Sequence, residues 1–101
     1  MTEFVEVAPL DQVPVGKGRT YMVKDRKVAL FNVEGTIYAT NDACAHAGAS
    51  LGSGKVSGKY VTCRAHGMKY DVTTGNVTTG GLCVPTYPAK VEDGKILVAV
   101  D

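Results

Sequence analysis

Two short clusters hold most of the thiol and imidazole side chains in this sequence. They are Cys44-Ala45-His46 and Cys63-Arg64-Ala65-His66, separated by the 16 residues 47–62. Between them they contain both histidines and two of the three cysteines; the third, Cys83, stands apart. Thiolate and imidazole suit zinc, copper and iron–sulfur clusters. Two arrangements compete. A structural zinc site needs four such ligands in a tetrahedron, and zinc fingers usually place two cysteines in one arm and two histidines in the other. Here each arm supplies one of each. That mixture suits a [2Fe–2S] cluster with two cysteines on one iron and two histidines on the other, the two arms clamping it from either side.

Something must hold two such arms in place, and the rest of the sequence reads as short strands and turns. The chain has 101 residues, 45% hydrophobic and 21% charged, which is ordinary for one globular domain. Eleven basic and ten acidic side chains leave a net charge of +1, which argues against a nucleic-acid binder held by its phosphate contacts. No apolar run approaches the roughly 18 residues of a membrane span, and the opening MTEFVEV has neither the basic flank nor the apolar stretch of a signal peptide. A cytoplasmic protein is expected. Three cysteines, an odd number, speak against a disulfide framework. Twelve glycines and many Val, Thr and Tyr residues favour strands over helices.

The expected strands are 4–7, 21–23, 27–33, 36–40, 58–61, 68–72, 77–79, an extended 84–91 around Pro85 and Pro88, and 96–100. Turn signals stand at Lys24-Asp25-Arg26, Glu34-Gly35, Thr73-Thr74-Gly75-Asn76 and Glu92-Asp93-Gly94-Lys95, and 11–19 reads as a loop. Asp11 or Asp42 could open a short helical turn. Many short strands at short spacing indicate an antiparallel all-β sandwich or barrel.

From Asn41 to Val98 the sequence resembles the Rieske family. The resemblance rests on Cys44-Ala-His46-Ala-Gly48-Ala-Ser-Leu51-x-x-Gly54, on Cys63-Arg-Ala-His66-Gly67-Met-Lys-Tyr70-Asp71-Val-Thr-Thr74-Gly75, and on a closing Tyr87-Pro88 to Val98 segment. It implies a fold of three stacked antiparallel sheets, one Rieske domain over 1–101, with a small cluster-binding subdomain over about 41–84. It implies one Rieske-type [2Fe–2S] cluster ligated by Cys44, His46, Cys63 and His66. The cytochrome-complex members carry an extra cysteine in each arm and a serine after the His-Gly pair; here those positions are Ala49, Ala65 and Met68. They are also membrane-tethered. The resemblance therefore points to the soluble Rieske ferredoxins, one-electron carriers between a flavin-dependent NAD(P)H ferredoxin reductase and the terminal non-haem iron oxygenase of an aromatic-ring dioxygenase system. Such a carrier has no substrate chemistry of its own and is expected to be a monomer. A small subunit of another oxidoreductase, such as a nitrite reductase, and a zinc-stabilised binding module remain as alternatives.

Other residues have two readings each. Gly48 and Gly67 either let the arms approach the cluster or reach positive φ, or are ordinary turn glycines. Leu51 and Tyr70 either shield the cluster or pack a core. Asp71, Thr74 and Gly75 build a turn. Pro85 matches a third loop that covers the cluster in the family, and Cys83 reads as a small buried or semi-exposed thiol. Arg64, Lys55, Lys59 and Lys69 form either a docking patch or a solvated face. Met68 cannot donate the hydrogen bond that a serine would give to a cluster sulfur, and such bonds stabilise the more negative reduced state. The reduction potential is therefore expected near the low end of the Rieske range of about −150 to +300 mV. A clearly positive midpoint in a redox titration would contradict this.

Overall fold

The computed structural model describes residues 3–42, 50–63, 67–78 and 83–99. Within them ten short strands succeed one another: β1 (Val5–Pro9), β2 (Gly18–Val23), β3 (Arg26–Val33), β4 (Thr36–Asn41), β5 (Lys55–Ser57), β6 (Tyr60–Thr62), β7 (Lys69–Asp71), β8 (Thr86–Tyr87), β9 (Ala89–Glu92) and β10 (Lys95–Val98). They form three sheets, ordered β1-β10-β9, β2-β3-β4-β8 and β5-β6-β7, and every pairing is antiparallel. No α-helix occurs among the described residues, and so no helix there is long and apolar enough to cross a membrane.

Three two-residue turns set the hairpins. Lys24-Asp25, Glu34-Gly35 and Asp93-Gly94 all adopt positive φ at both positions. That geometry matches the right-handed twist of paired strands, which is why two-residue hairpins select it. The registers follow directly, with Val23 opposite Arg26, Val33 opposite Thr36, and Glu92 opposite Lys95.

β3 is the centre of the fold. Val28, Ala29, Leu30, Phe31 and Asn32 are buried in succession. Side chains alternate across a strand, so this one strand feeds two cores. Val28 and Leu30 pack with Val13, Ile37, Ile96 and Val98 on one side. Ala29 and Phe31 pack with Leu51, Val61, Cys63 and Tyr70 on the other. Each large apolar side chain so buried contributes about 1.5–3 kcal/mol. Asn32 is tolerated because its amide donates to the Val13 carbonyl at 2.7 Å and its oxygen accepts from the Gly35 N–H at 2.8 Å.

The structure departs from the sequence reading at several places. β5 (Lys55–Ser57) is a strand that the reading did not expect, and β2 begins at Gly18, inside the expected loop. The expected strand 77–79 is not one over its described residues, Val77 and Thr78, and residue 79 lies outside them. The turn after Asp71 brings the chain back for isolated bridges only, Tyr70 to Val77 and Asn76 to Cys83. The extended segment 84–91 divides between two sheets: β8 pairs with β4 and β9 with β10. Pro88 stands at the junction, where its missing N–H interrupts a ladder. The expected strand 58–61 starts at Tyr60, because Gly58, at φ +59, and Lys59 form the turn from β5. Leu10–Gln12 is a 3-10 turn that contains Asp11 but begins after Pro9, without a side-chain cap. A helical turn opened by Asp42 would run into residues outside the described ones.

Asp71 closes the β7 end as the sequence suggested. Its carbonyl accepts from Thr74 N–H at 3.2 Å and Gly75 N–H at 2.7 Å. Its carboxylate accepts from the backbone N–H and hydroxyl of Thr73 and lies 3.2 Å from the Lys59 ammonium. Burial pushes the carboxyl pKa up, but the Thr73 donors and Lys59 outweigh it and hold it below its ordinary value. A carboxyl depressed by folding contributes stability above its unfolded pKa, about 4, and loses that contribution as pH falls through its folded value. Urea unfolding at a series of pH values should therefore show the wild type losing stability below about pH 4, with Asp71→Asn less stable at neutral pH and flatter on the acid side. A deficit in D71N that does not change with pH would refute this account.

Candidate metal centre

The second arm is mounted on the β6–β7 hairpin. Cys63 directly follows β6 and is fully buried. Its N–H donates to the Met68 carbonyl at 2.8 Å, and its carbonyl accepts from the Gly67 N–H at 2.9 Å. These two bonds close the base of the arm. Gly67 has φ +69, and a side chain there would meet nothing within 4 Å. Backbone conformation favours glycine here, as it does in any turn of positive φ.

The first arm, residues 43–49, has both its ends tied to one carboxylate. Asp42 lies one residue beyond β4 and is 3% exposed. Its Oδ1 accepts from Thr20 Oγ1 at 2.7 Å, from Ser50 Oγ at 3.0 Å and from the Gly52 N–H at 2.8 Å. Its backbone carbonyl accepts from the Leu51 N–H at 2.6 Å, and its own N–H donates to the Lys27 carbonyl at 3.0 Å. A buried carboxylate is costly unless hydrogen-bonded. Here the bonds that satisfy it also join the residues on either side of the arm to β2. Gly52 has to be glycine: a Cβ would collide with Thr20 Oγ1 and come within 2.9 Å of the Arg19 carbonyl carbon. Sequence reading gave Asp42 only a place at a helical turn. The available signal was an acid two residues before Cys44 with Ser50 and Gly52 just after the arm, but the third donor, Thr20, is 22 residues away.

A third segment meets the first two. The Pro85 carbonyl accepts from the Asn41 N–H at 2.8 Å. Val84, Leu51, Val61, Tyr70 and Cys63 share one apolar core. Leu51 and Tyr70 are therefore core residues, and they are also the residues packed around the Cys63 side of the site. Cys83 is exposed and unbridged, not the buried or semi-exposed thiol expected. Its backbone forms an isolated β-bridge with Asn76. Cys44, His46, Gly48, Ala49, Arg64, Ala65 and His66 lie outside the described residues. Among the described residues no group of three or more His, Cys, Asp or Glu side chains could hold a metal.

The Rieske [2Fe–2S] domain family matches residues 3–88. The chain belongs to this family. Among its relatives, the ferredoxin component of the naphthalene 1,2-dioxygenase/salicylate 5-hydroxylase systems of Ralstonia sp. is 33% identical over 104 residues, covering 97% of this chain and 96% of that one. The ferredoxin of carbazole 1,9a-dioxygenase from Nocardioides aromaticivorans IC177 superposes with a TM-score of 0.90 at 31% identity, covering 97% and 98% of the two chains. A chain in the complex of reduced oxygenase and oxidized ferredoxin in carbazole 1,9a-dioxygenase superposes with a TM-score of 0.86 at 27% identity, covering 95% of this chain and 92% of that one. The Rieske fold of three antiparallel sheets is the one described above.

The Rieske group is a [2Fe–2S] cluster held by thiolate and imidazole, and the surroundings of Cys63 fit it. The thiol is fully buried, has no disulfide partner, and sits in an apolar core that keeps water from one side of a metal site. Asp42 is bonded to Leu51, which belongs to the same core. Replacing Asp42 by Ala removes the acceptor shared by the Thr20 and Ser50 hydroxyls and the buried Gly52 N–H, and a buried donor left unsatisfied costs about 1–3 kcal/mol. The purified holoprotein should then lose its visible absorption in urea at markedly lower concentration than wild type, with Asp42→Asn intermediate. Bleaching of D42A at the wild-type midpoint would show that the clamp does not support the centre.

Proposed function

We propose that this Rieske protein is the ferredoxin component of an aromatic-ring dioxygenase system. It accepts electrons from a flavin-dependent NAD(P)H ferredoxin reductase and delivers them to a terminal oxygenase. The observation that carries the reading is the likeness, over nearly the whole of both chains, to relatives named as ferredoxin components. A fully buried, unbridged Cys63 at the head of the β6–β7 arm supports it at the level of the site.

In this reading Cys44 and Cys63 bind one iron and His46 and His66 the other, within a cluster-binding subdomain of residues 41–84. The bound cluster supplies reversible uptake of one electron. The chain's own residues do the rest. Leu51, Val61, Tyr70 and Val84 exclude water from around Cys63 and lower the dielectric there. The Gly67 N–H to Cys63 carbonyl bond and the bonds at Asp42 fix the residues from which each arm would leave and to which it would return. No acid, base or nucleophile is required, because the protein forms and breaks no substrate bond. The carrier is taken to work as a monomer in the cytoplasm.

The test is the visible and EPR spectrum of the purified protein before and after dithionite, with iron and zinc assayed on the same sample. Two irons per chain and a Rieske-type EPR signal that appears only on reduction are expected, and Cys63→Ser should abolish both. NADH-driven product formation with the reductase and terminal oxygenase of a naphthalene 1,2-dioxygenase system should then depend on added protein. A colourless, EPR-silent protein holding one zinc per chain would overturn the reading. Isolation only as a tight complex with a large subunit would instead favour a subunit of another oxidoreductase.

A further inference from the structure

Ten acidic side chains are spread along the chain, and Asp42 differs from the rest in its surroundings. Of the described acids it alone is buried, at 3% exposure. Glu3, Glu6, Asp71 and Glu92 each lie within 4 Å of a lysine ammonium. Asp11, Asp25, Glu34 and Asp93 are exposed, where water weakens the field of their charge. Among the described residues no basic side chain pairs with Asp42. Three uncharged donors hold its carboxylate instead, the Thr20 and Ser50 hydroxyls and the Gly52 N–H. Such dipoles stabilise a negative charge without cancelling it. Joining the two ends of the arm needs only an acceptor, and an amide oxygen also accepts from such groups. The charge of Asp42 is therefore a separate property with an effect of its own.

That charge lies close to both arms. Asp42 precedes Cys44 by two residues, so the chain itself keeps their Cα atoms within about 7.6 Å. Its backbone carbonyl accepts from the Leu51 N–H at 2.6 Å. Leu51 in turn packs in the core that holds the fully buried Cys63. The material between Asp42 and Cys63 is thus apolar protein, in which a charge acts more strongly than through water. An electron added beside Cys63 meets a fixed negative charge with no cation paired to it among the described residues.

We propose that Asp42 sets the reduction potential of the centre: its buried negative charge disfavours the reduced cluster and holds the midpoint low. The inference rests on the electron-carrier reading above. It adds a determinant distinct from Met68, because Asp42 acts through its field and not through a hydrogen bond to a cluster sulfur. For a unit charge about 12 Å from the added electron, an effective dielectric constant near 20 gives about tenfold in the reduction equilibrium. Tenfold is about 59 mV for a one-electron couple.

The test is a spectroelectrochemical titration of the intact holoprotein at neutral pH, with iron per chain and the reduced EPR signal recorded for every variant. Asp42→Asn should favour reduction about tenfold. Thr20→Val removes one hydrogen bond to the same carboxylate and keeps its charge, so its midpoint should not rise. Asp93→Asn removes an exposed charge at the β9–β10 turn and should change the equilibrium by under about twofold. The D42N shift should persist in about 0.5 M salt, because a buried charge is screened little, while any D93N shift disappears. A D42N midpoint equal to that of the wild type, at equal iron content, would overturn the proposal and leave the carrier reading standing. So would a T20V midpoint raised as far as that of D42N, since the shift would then follow from loosening the arm. If D42N takes up no cluster, Thr20→Lys takes its place. An ammonium beside the intact carboxylate offsets its charge, so the midpoint should rise, and an unchanged midpoint would overturn the proposal. A wild type that lacks the two-iron signal would instead mark the failure of the carrier reading, and the proposal would fall with it.

Discussion

The structure depends on one strand buried on both faces. β3 has no surface side from Val28 to Asn32, so it cannot be stable unless a sheet covers each of its faces. β1–β10–β9 supplies one cover and β5–β6–β7 the other. Because the side-chain period is two, a one-residue slip of β3 would exchange Leu30 with Phe31 between cores of different shape. The two positive-φ turns on either side of β3 fix that register. The central sheet is consequently the rigid body to which the β5–β6–β7 sheet, with Cys63 at its end, is fastened.

That fastening takes two forms. One is apolar: Phe31 and Ala29 reach from β3 into the core that also holds Leu51, Cys63 and Tyr70. The other is polar: Asp42 and Asn41, at the end of β4, bond to Ser50, Leu51, Gly52 and Pro85. The same strand end thus anchors the first arm on both sides and the Pro85 segment. The second arm needs less, because a β-hairpin closes it locally between Cys63 and Met68. One arm depends on contacts distant in sequence and the other on its neighbours alone. This difference explains why Gly67 could be understood from the sequence and Asp42 could not.

An electron carrier must hold its centre still and yet meet partners briefly. The buried side of the β5–β7 sheet serves the first need.

The two Cys-x-His-type arms, their mixed composition and the Tyr-Asp-x-x-Thr-Gly that follows were legible in the sequence. So were most strands and all four turns, because period-two patterning and Gly or Asp at positive φ are local signals. Local signals stop at the strand's edge. Nothing local shows that 84–91 serves two sheets, that Val77 meets Tyr70 in an isolated bridge, or that Cys83 faces solvent. The candidate ligand types and the all-β class were set by the sequence itself, since metal preference follows from side-chain chemistry and strand preference from backbone sterics. The tertiary structure alone decided that Asp42 would bond to Thr20, Ser50 and Gly52 and that Lys55 and Lys69 would share one face with Thr62. Both depend on which strands become neighbours, and that is fixed only when β3 buries its two faces at once.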